Sequence, residues 1–279
     1  MSKALFIAEA GKNFIMKDKD DDYLGNAKNL IKIAKESGAD IVKFQCHVFE
    51  DEQKFRHPDR HEWIKFNESI TTAQFWKELK QYCDEMEIEF MCTPMSKMAA
   101  EKINSLVRRW KIGSGNVTDI DLLHFIAETG KPVILSTGMS TQKEVENALE
   151  ILKNNEVSLF YCKSIYPCPI EKIDFLAMHA MKDYFKKKFQ NVKRIGFSDH
   201  TLEITTPMMA VIEGEAEIIE KHFTLDKKAF GPDHRFSLEP NELKLAIKLV
   251  RDYENFGNED SILIYPEEEE IKLWESFRV

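Results

Sequence analysis

The sequence has no uninterrupted apolar run near the ~18 residues of a membrane-spanning helix, so no membrane span is expected. Its first residues, MSKALFIAEAG, have neither a long apolar core nor a small-residue cleavage site. They read as a strand rather than a signal peptide, and the expected location is the cytoplasm. Cysteine is scarce and unpaired in pattern: Cys46, Cys83, Cys92, Cys162 and Cys168 form no CxxC and leave one over, which fits reduced core thiols and no disulfide. Positive charge is in deficit, with 39 Lys and Arg against 48 Asp and Glu and a net charge of -9, which argues against a nucleic-acid partner. No Pro/Gly/Ser-rich linker divides the 279 residues. AEAGKNF, after the first apolar run, has a single glycine, so the Gly-rich phosphate loop of an open doubly wound sheet is missing.

What is present is a repeated unit. Eight short apolar or β-branched runs recur: ALFIAEAG, ADIVKFQCHVF, IEFMCTP, RWKIGSGNV, PVILSTGM, VSLFYCKSIYP, RIGFSDHT and AEIIEKHFTL. Between them lie amphipathic segments such as YLGNAKNLIKIAKESG, AQFWKELKQYCDEME and KEVENALEILKNN. Eight strand-helix units joined by right-handed crossovers close most simply as a (β/α)8 barrel of the TIM type, spanning residues 1–255. Residues 256–279, with YPEEEEIKLWESFRV, read as an acidic tail.

In such a barrel the chemistry sits at the C-terminal ends of the strands. Each run ends in polar residues: Glu9; Lys43 and Gln45; Thr93; Lys111 and Ser114; Ser136; Ser164 and Tyr166; Ser198 and His200; Glu220 and His222. The pairs Lys43/Gln45, Ser198/His200 and Glu220/His222 are spaced two apart and share a face. If that face is the interior, they converge at the mouth. Lys221, of opposite parity, is expected to point toward the helices with its stem reaching solvent. Two lysines with the hydroxyls of Thr93, Ser114, Ser136 and Ser198 make a cradle for a phosphate- and carboxylate-bearing anion. Two histidines on neighbouring strands could hold a divalent metal. Duller readings stand beside these. A lone strand lysine more often snorkels, a lone histidine is more often a satisfied core or surface group, and serines in TPMSKMAA and STGMSTQKEV could be helix N-caps. His57, His61, His124, His179 and His234 are read as structural or surface groups, while His47, which continues the parity of Lys43 and Gln45, is left open.

The blocks AEAGKNF, ADIVKFQ, CTP, KIGSGNVTDIDLL, GKPVILSTGMST, YCKSIYPCP, GFSDHT, IIEKHFTLD and GPDHRFSLEP resemble, in order and spacing, the sialic acid (N-acetylneuraminate) synthase family, over roughly residues 4–255. The resemblance implies condensation of phosphoenolpyruvate with an aldose such as N-acetylmannosamine, water addition at C2, loss of phosphate with C–O cleavage, and a nonulosonic acid product. It implies Mn2+ or Mg2+ held by His200 and His222, which would polarise the aldehyde oxygen. Lys43, Thr93, Lys111, Ser114, Ser136 and Ser198 match phosphoenolpyruvate contacts, and Gln45, Tyr166 and Asp233 match residues around the sugar. Glu9 and Glu220 match glutamates that bind hydroxyls or move protons. Three positions depart from the pattern, all expected at the mouth: Asn116 replaces a glutamate, Ser164, after Lys163, replaces an asparagine, and Phe14 replaces a histidine. Relatives commonly add an antifreeze-like domain that caps a partner's site in a swapped dimer, and Val279 lies near where it would start. The expected partners are therefore a second copy in a homodimer and a separate lid protein, unless the acceptor is held without a lid or the sequence is part of a longer chain. Other readings are a keto-deoxy-octulosonate phosphate type of synthase, with Lys163 or Arg235 serving an acceptor phosphate, and a non-catalytic ligand-binding subunit.

Overall fold

The period-two alternation of the eight apolar runs produces eight parallel strands: β1 (Leu5–Gly11), β2 (Ile41–Cys46), β3 (Glu89–Pro94), β4 (Trp110–Ile112), β5 (Val133–Ser136), β6 (Val157–Cys162), β7 (Val192–Asp199) and β8 (Ile218–His222). The computed structural model describes residues 3–16, 21–54 and 56–256. The acidic tail expected over 256–279 lies outside the described residues apart from Phe256. The strands form one sheet in the order β3-β2-β1-β8-β7-β6-β5-β4, and its two ends, β3 and β4, pack against each other, so the sheet is a nearly closed (β/α)8 barrel.

One parity of each strand fills the barrel interior. Ile7, Ile41, Met91, Ile134, Phe160 and Ile218 form a separate apolar cluster there, and the next inward positions toward the C-terminal ends are Glu9, Lys43, Thr93, Ser136, Cys162 and Glu220, all polar but the cysteine. Phe160 has room because β7 offers Gly196 beside it: a Cβ at Gly196 would stand 2.6 Å from Phe160 Cδ1 and from the Ile218 carbonyl oxygen. The other parity, including Phe6, Val42, Phe44, Phe90, Trp110, Leu135 and Phe197, packs against the surrounding helices.

The helices are α1 (Tyr23–Ser37), α2 (Phe49–Glu52), α3 (His61–Ile70), α4 (Ala73–Glu85), α5 (Lys97–Ile103), α6 (Ile120–Glu128), α7 (Gln142–Ile151), α8 (Phe175–Lys188), α9 (Thr206–Ile212) and α10 (Pro240–Glu254). The charged segment EDEQKFRHPDRHEW after β2 carries most of α2, a 3-10 turn at Pro58–Arg60 and the start of α3. In the two segments read as candidate caps, a serine caps one helix and a threonine the other. Ser96 caps α5 and Thr141 caps α7 with a full capping box, which leaves Thr93 and Ser136 to face the interior.

Lys221 corrects an expectation. It has the outward parity foreseen for it, but its ammonium does not reach solvent and the residue is fully buried. Lys221 Nζ lies 2.7 Å from Asp199 Oδ2 and donates to the Thr201 carbonyl at 2.6 Å, while Asp199 Oδ1 accepts from the Thr201 N–H at 2.8 Å. Asp199 and Lys221 are register partners on β7 and β8, so one outward residue on each strand neutralises the other. Snorkelling fails because the charge partner is closer than water. Removing one member of such a pair leaves an unpaired buried charge, which costs about 3–5 kcal/mol, whereas replacing both with apolar groups can be nearly neutral. Lys221→Met should therefore lower unfolding stability in urea by about 3–5 kcal/mol, and adding Asp199→Leu should recover part of the loss. No recovery in the double variant would show that the strands need more than charge neutrality there.

Candidate active site

Each strand delivers its last inward side chain to one mouth. Lys43 Nζ is the hub: it lies 2.7 Å from Glu9 Oε2 and 3.5 Å from Glu220 Oε1, and it donates to Thr93 Oγ1 at 3.0 Å. Glu220 Oε1 also accepts from Lys111 Nζ at 3.1 Å and from Ser198 Oγ at 3.2 Å. Gln45 Nε2 donates to Glu9 Oε1 at 2.9 Å, and the Lys111 ammonium stands 5.2 Å from the centroid of the Phe160 ring. Glu9, Lys43, Lys111 and Glu220 are all buried. The two lysines read as an anion cradle are thus each paired with a glutamate of the same cluster.

The two carboxylates compete for Lys43. Burial pushes Glu220 up, but Lys111 and Lys43 together outweigh it and hold its carboxyl down at about 2. Glu9 has only Lys43 as a cation and also faces Glu220, so burial raises it from its ordinary 4.5 to about 7. Burial lowers Lys43 less than Glu220 and Glu9 raise it, whereas for Lys111 burial prevails. Near neutral pH the cluster therefore exchanges a proton most readily at Glu9, whose carboxyl titrates there while that of Glu220 stays ionised.

The hydroxyls border this cluster. Ser136 is buried at the end of β5, and Ser114 opens the turn after β4 with its Oγ 3.3 Å from Cys162 Sγ. Gly138 is open space beside them: a Cβ there would run into Ser164 Oγ and stand 2.8 Å from both Ser114 Oγ and Cys162 Sγ. A backbone without a side chain at 138 is thus what keeps three strand ends around one concavity. Gly138 was not singled out in the sequence because STGM reads equally well as a plain turn.

His200 and His222 stand together, ring centroids 5.7 Å apart, with the Tyr166 ring 4.3 Å from His200 and the Phe236 ring 5.0 Å from His222. His200 Nδ1 lies 2.8 Å from the Lys163 carbonyl, which can only accept, so Nδ1 carries the hydrogen and Nε2 keeps its lone pair. His222 Nδ1 is buried and finds no hydrogen-bond partner among the described residues. Burial lowers both rings below their ordinary range, with His200 and Lys43 adding to the effect at His222. Two neutral imidazoles with available nitrogens fit a divalent cation that takes its other ligands from water or substrate. Among the described residues no group of three or more His, Cys, Asp or Glu is placed to hold one alone.

Asp233 completes the rim, its Oδ2 3.8 Å from Lys12 Nζ. The three departures separate. Ser164 is at the mouth. Asn116 is buried and engaged locally, donating to the Met95 carbonyl at 3.1 Å and accepting from Arg56 Nη2 at 3.4 Å. Phe14 is not a mouth residue: it is buried in the outer core with its ring 5.3 Å from Phe75 and 6.1 Å from Phe44, because an aromatic there gains more from apolar contact than from facing the site.

Because Glu9 lies above its ordinary value, its proton stabilises the fold fully below pH 4.5, and that contribution is lost as pH rises through about 7. Glu9→Gln, which does not titrate, should gain stability relative to the parent across that window. Parallel stability-pH curves in urea would place the proton elsewhere.

The family model described as the NeuB family matches residues 30–260. The chain is 37% identical over 268 residues to the N,N'-diacetyllegionaminic acid synthase of Campylobacter jejuni, covering 90% of this chain and 76% of that protein. It is 33% identical over 258 residues to human N-acetylneuraminate-9-phosphate synthase, covering 88% of this chain and 68% of that protein. The crystal structure of the N-acetylneuraminic acid synthetase of Leptospira borgpetersenii superposes with a TM-score of 0.82 at 30% identity, covering 99% of this chain and 93% of that one. Carrying the same barrel over nearly its whole length, the chain belongs to the NeuB family, the sialic acid synthase family.

Proposed function

We propose that this NeuB-family enzyme condenses phosphoenolpyruvate with an acylated amino sugar, such as N-acetylmannosamine, to give a nonulosonic acid and phosphate. The observation that carries the reading is the buried Glu9–Lys43–Glu220–Lys111 cluster, bordered by hydroxyls and standing beside two neutral histidines. The similarity to the legionaminic acid and neuraminate-9-phosphate synthases supports it.

In this reading the phosphate and carboxylate of phosphoenolpyruvate draw Lys43 and Lys111 partly away from their glutamates and take hydrogen bonds from Thr93, Ser114, Ser136 and Ser198. Gln45, Tyr166 and Asp233 face the sugar, and Glu220 Oε2, which has no partner among the described residues, is available to a hydroxyl. C3 of phosphoenolpyruvate bonds to the aldehyde carbon, water adds at C2, and the bond from C2 to the phosphate oxygen breaks. One proton of the water ends on the new hydroxyl and the other leaves with phosphate. Glu9, with its value near neutrality, holds the proton in transit. A divalent cation on His200 and His222 would supply Lewis-acid polarisation of the aldehyde oxygen. Cover for the mouth, in this reading, comes from a second copy or a separate lid protein.

The test is phosphate release from phosphoenolpyruvate with manganese and three acylated acceptors, N-acetylmannosamine, its 6-phosphate and 2,4-diacetamido-2,4,6-trideoxymannose, with arabinose 5-phosphate as the contrasting aldose. Release with at least one of the three acylated acceptors is expected, and release only with arabinose 5-phosphate, or with no aldose, would overturn the reading. Lys111→Ala should weaken phosphoenolpyruvate binding, measured by calorimetry, by about ten-fold or more, since a charge-assisted contact is worth roughly 1.5–3 kcal/mol.

A further inference from the structure

One buried titratable pair at the same mouth has no part in the reaction just described. His47 follows Lys43 and Gln45 at the side-chain period of β2 and is 4% exposed. Its Nδ1 lies 3.0 Å from both carboxylate oxygens of Glu52, which is fully buried in α2. A carboxylate only accepts, so Nδ1 carries the hydrogen and Nε2 the lone pair. Glu52 is itself fixed: its Oε1 accepts from the Val48 N–H at 3.0 Å, and Arg56 Nε lies 3.5 Å from Oε2. The ring is therefore held in one tautomer and one orientation.

His47 Nε2 is buried and finds no hydrogen-bond partner among the described residues. Most buried side-chain polar atoms find a hydrogen-bond partner. Both ring nitrogens of His234 do so in this chain, with Nδ1 2.7 Å from Thr224 Oγ1 and Nε2 3.0 Å from the Ile15 carbonyl. Besides Glu52, the charges acting on the His47 ring are Lys12 and Arg56, and burial holds the ring below its ordinary range. Lys12 leads to Asp233 on the sugar side of the rim, and Arg56 leads to Asn116 past the end of β4. Two cations thus act on the ring that carries the unpaired acceptor. A cationic donor would be repelled by Lys12 and Arg56, and an anion would meet the lone pair. The complementary group is a neutral donor, and hydroxyls are the most numerous neutral donors an aldose offers.

Building on the proposed function, we infer that His47, held by Glu52, is a specificity-determining residue whose Nε2 accepts a hydrogen bond from one hydroxyl of the acceptor sugar. A site built to bond a hydroxyl rejects the analogue that lacks it, because the acceptor is then left unpaired. This gives the assignment a readout that a structural role would not move.

The experiment compares the parent, His47→Ala and His47→Gln in steady-state kinetics with N-acetylmannosamine and its monodeoxy analogues, or with the diacetamido sugar and its analogues if that is the acceptor turned over. Phosphoenolpyruvate binding is measured alongside by calorimetry. His47→Ala should raise the KM for the aldose by about ten-fold or more while phosphoenolpyruvate affinity stays within about two-fold. One monodeoxy analogue, rejected by the parent by about ten-fold or more, should no longer be distinguished by His47→Ala. His47→Gln, whose amide can still accept, should restore part of the discrimination. An active parent whose His47→Ala variant keeps the aldose KM and the discrimination overturns this inference alone, as does a variant that loses phosphoenolpyruvate and aldose affinity together. A parent that binds phosphoenolpyruvate but turns over no aldose overturns the proposed function, and this inference with it.

Discussion

The site depends on one electrostatic constraint: charges inside a barrel must be neutralised by one another, because removing each from water costs several kcal/mol unless it is paired. Lys43 meets this constraint for two carboxylates at once, at 2.7 Å from Glu9 and 3.5 Å from Glu220. The sharing is unequal, since Glu220 also has Lys111 at 3.1 Å. That inequality makes Glu9 the carboxyl of the cluster that takes up a proton first and sets it near neutrality beside the lysines. In the proposed function an incoming anion would exchange with carboxylates already in place, which hold both ammonium groups in position.

The same constraint acts behind the barrel. On β7 and β8, Ser198 and Glu220 face the interior while Asp199 and Lys221, the next register pair, face outward and neutralise each other. Along β8 the residues Glu220, Lys221 and His222 thus serve the mouth, the outer layer and the mouth in turn. A strand can carry three such residues in its buried part because each side of the sheet closes its own charge account.

Most of the fold was legible, and the reason is periodicity. Period-two runs ending in polar residues, alternating with helical stretches, specify both a parallel barrel and which parity faces inward, so Lys43, Lys111, Glu220 and His222 could be assigned to one mouth from spacing alone. What spacing cannot carry is pairing. Nothing in the sequence says that Asp199 stands within 2.7 Å of Lys221, or that Glu52 in a one-turn helix turns back onto His47. Gly138 was illegible for a related reason, since its contribution is the volume it leaves empty. Phe14 was misplaced at the mouth because neighbourhood in sequence to Asn13 does not fix direction, and the apolar layer formed with Phe44 and Phe75 does.

The proposed function turns on one chemical event, rupture of the bond between C2 and the bridging oxygen of phosphoenolpyruvate, with phosphate leaving among the lysines and hydroxyls. Phosphoenolpyruvate labelled with 18O at the bridging position, turned over with the acceptor sugar in unlabelled water, tests that event directly. Mass spectrometry should find the label in the released phosphate and a keto acid three carbons longer than the sugar. Label retained in the organic product, or phosphate released without a carbon-carbon bond being made, would contradict the account.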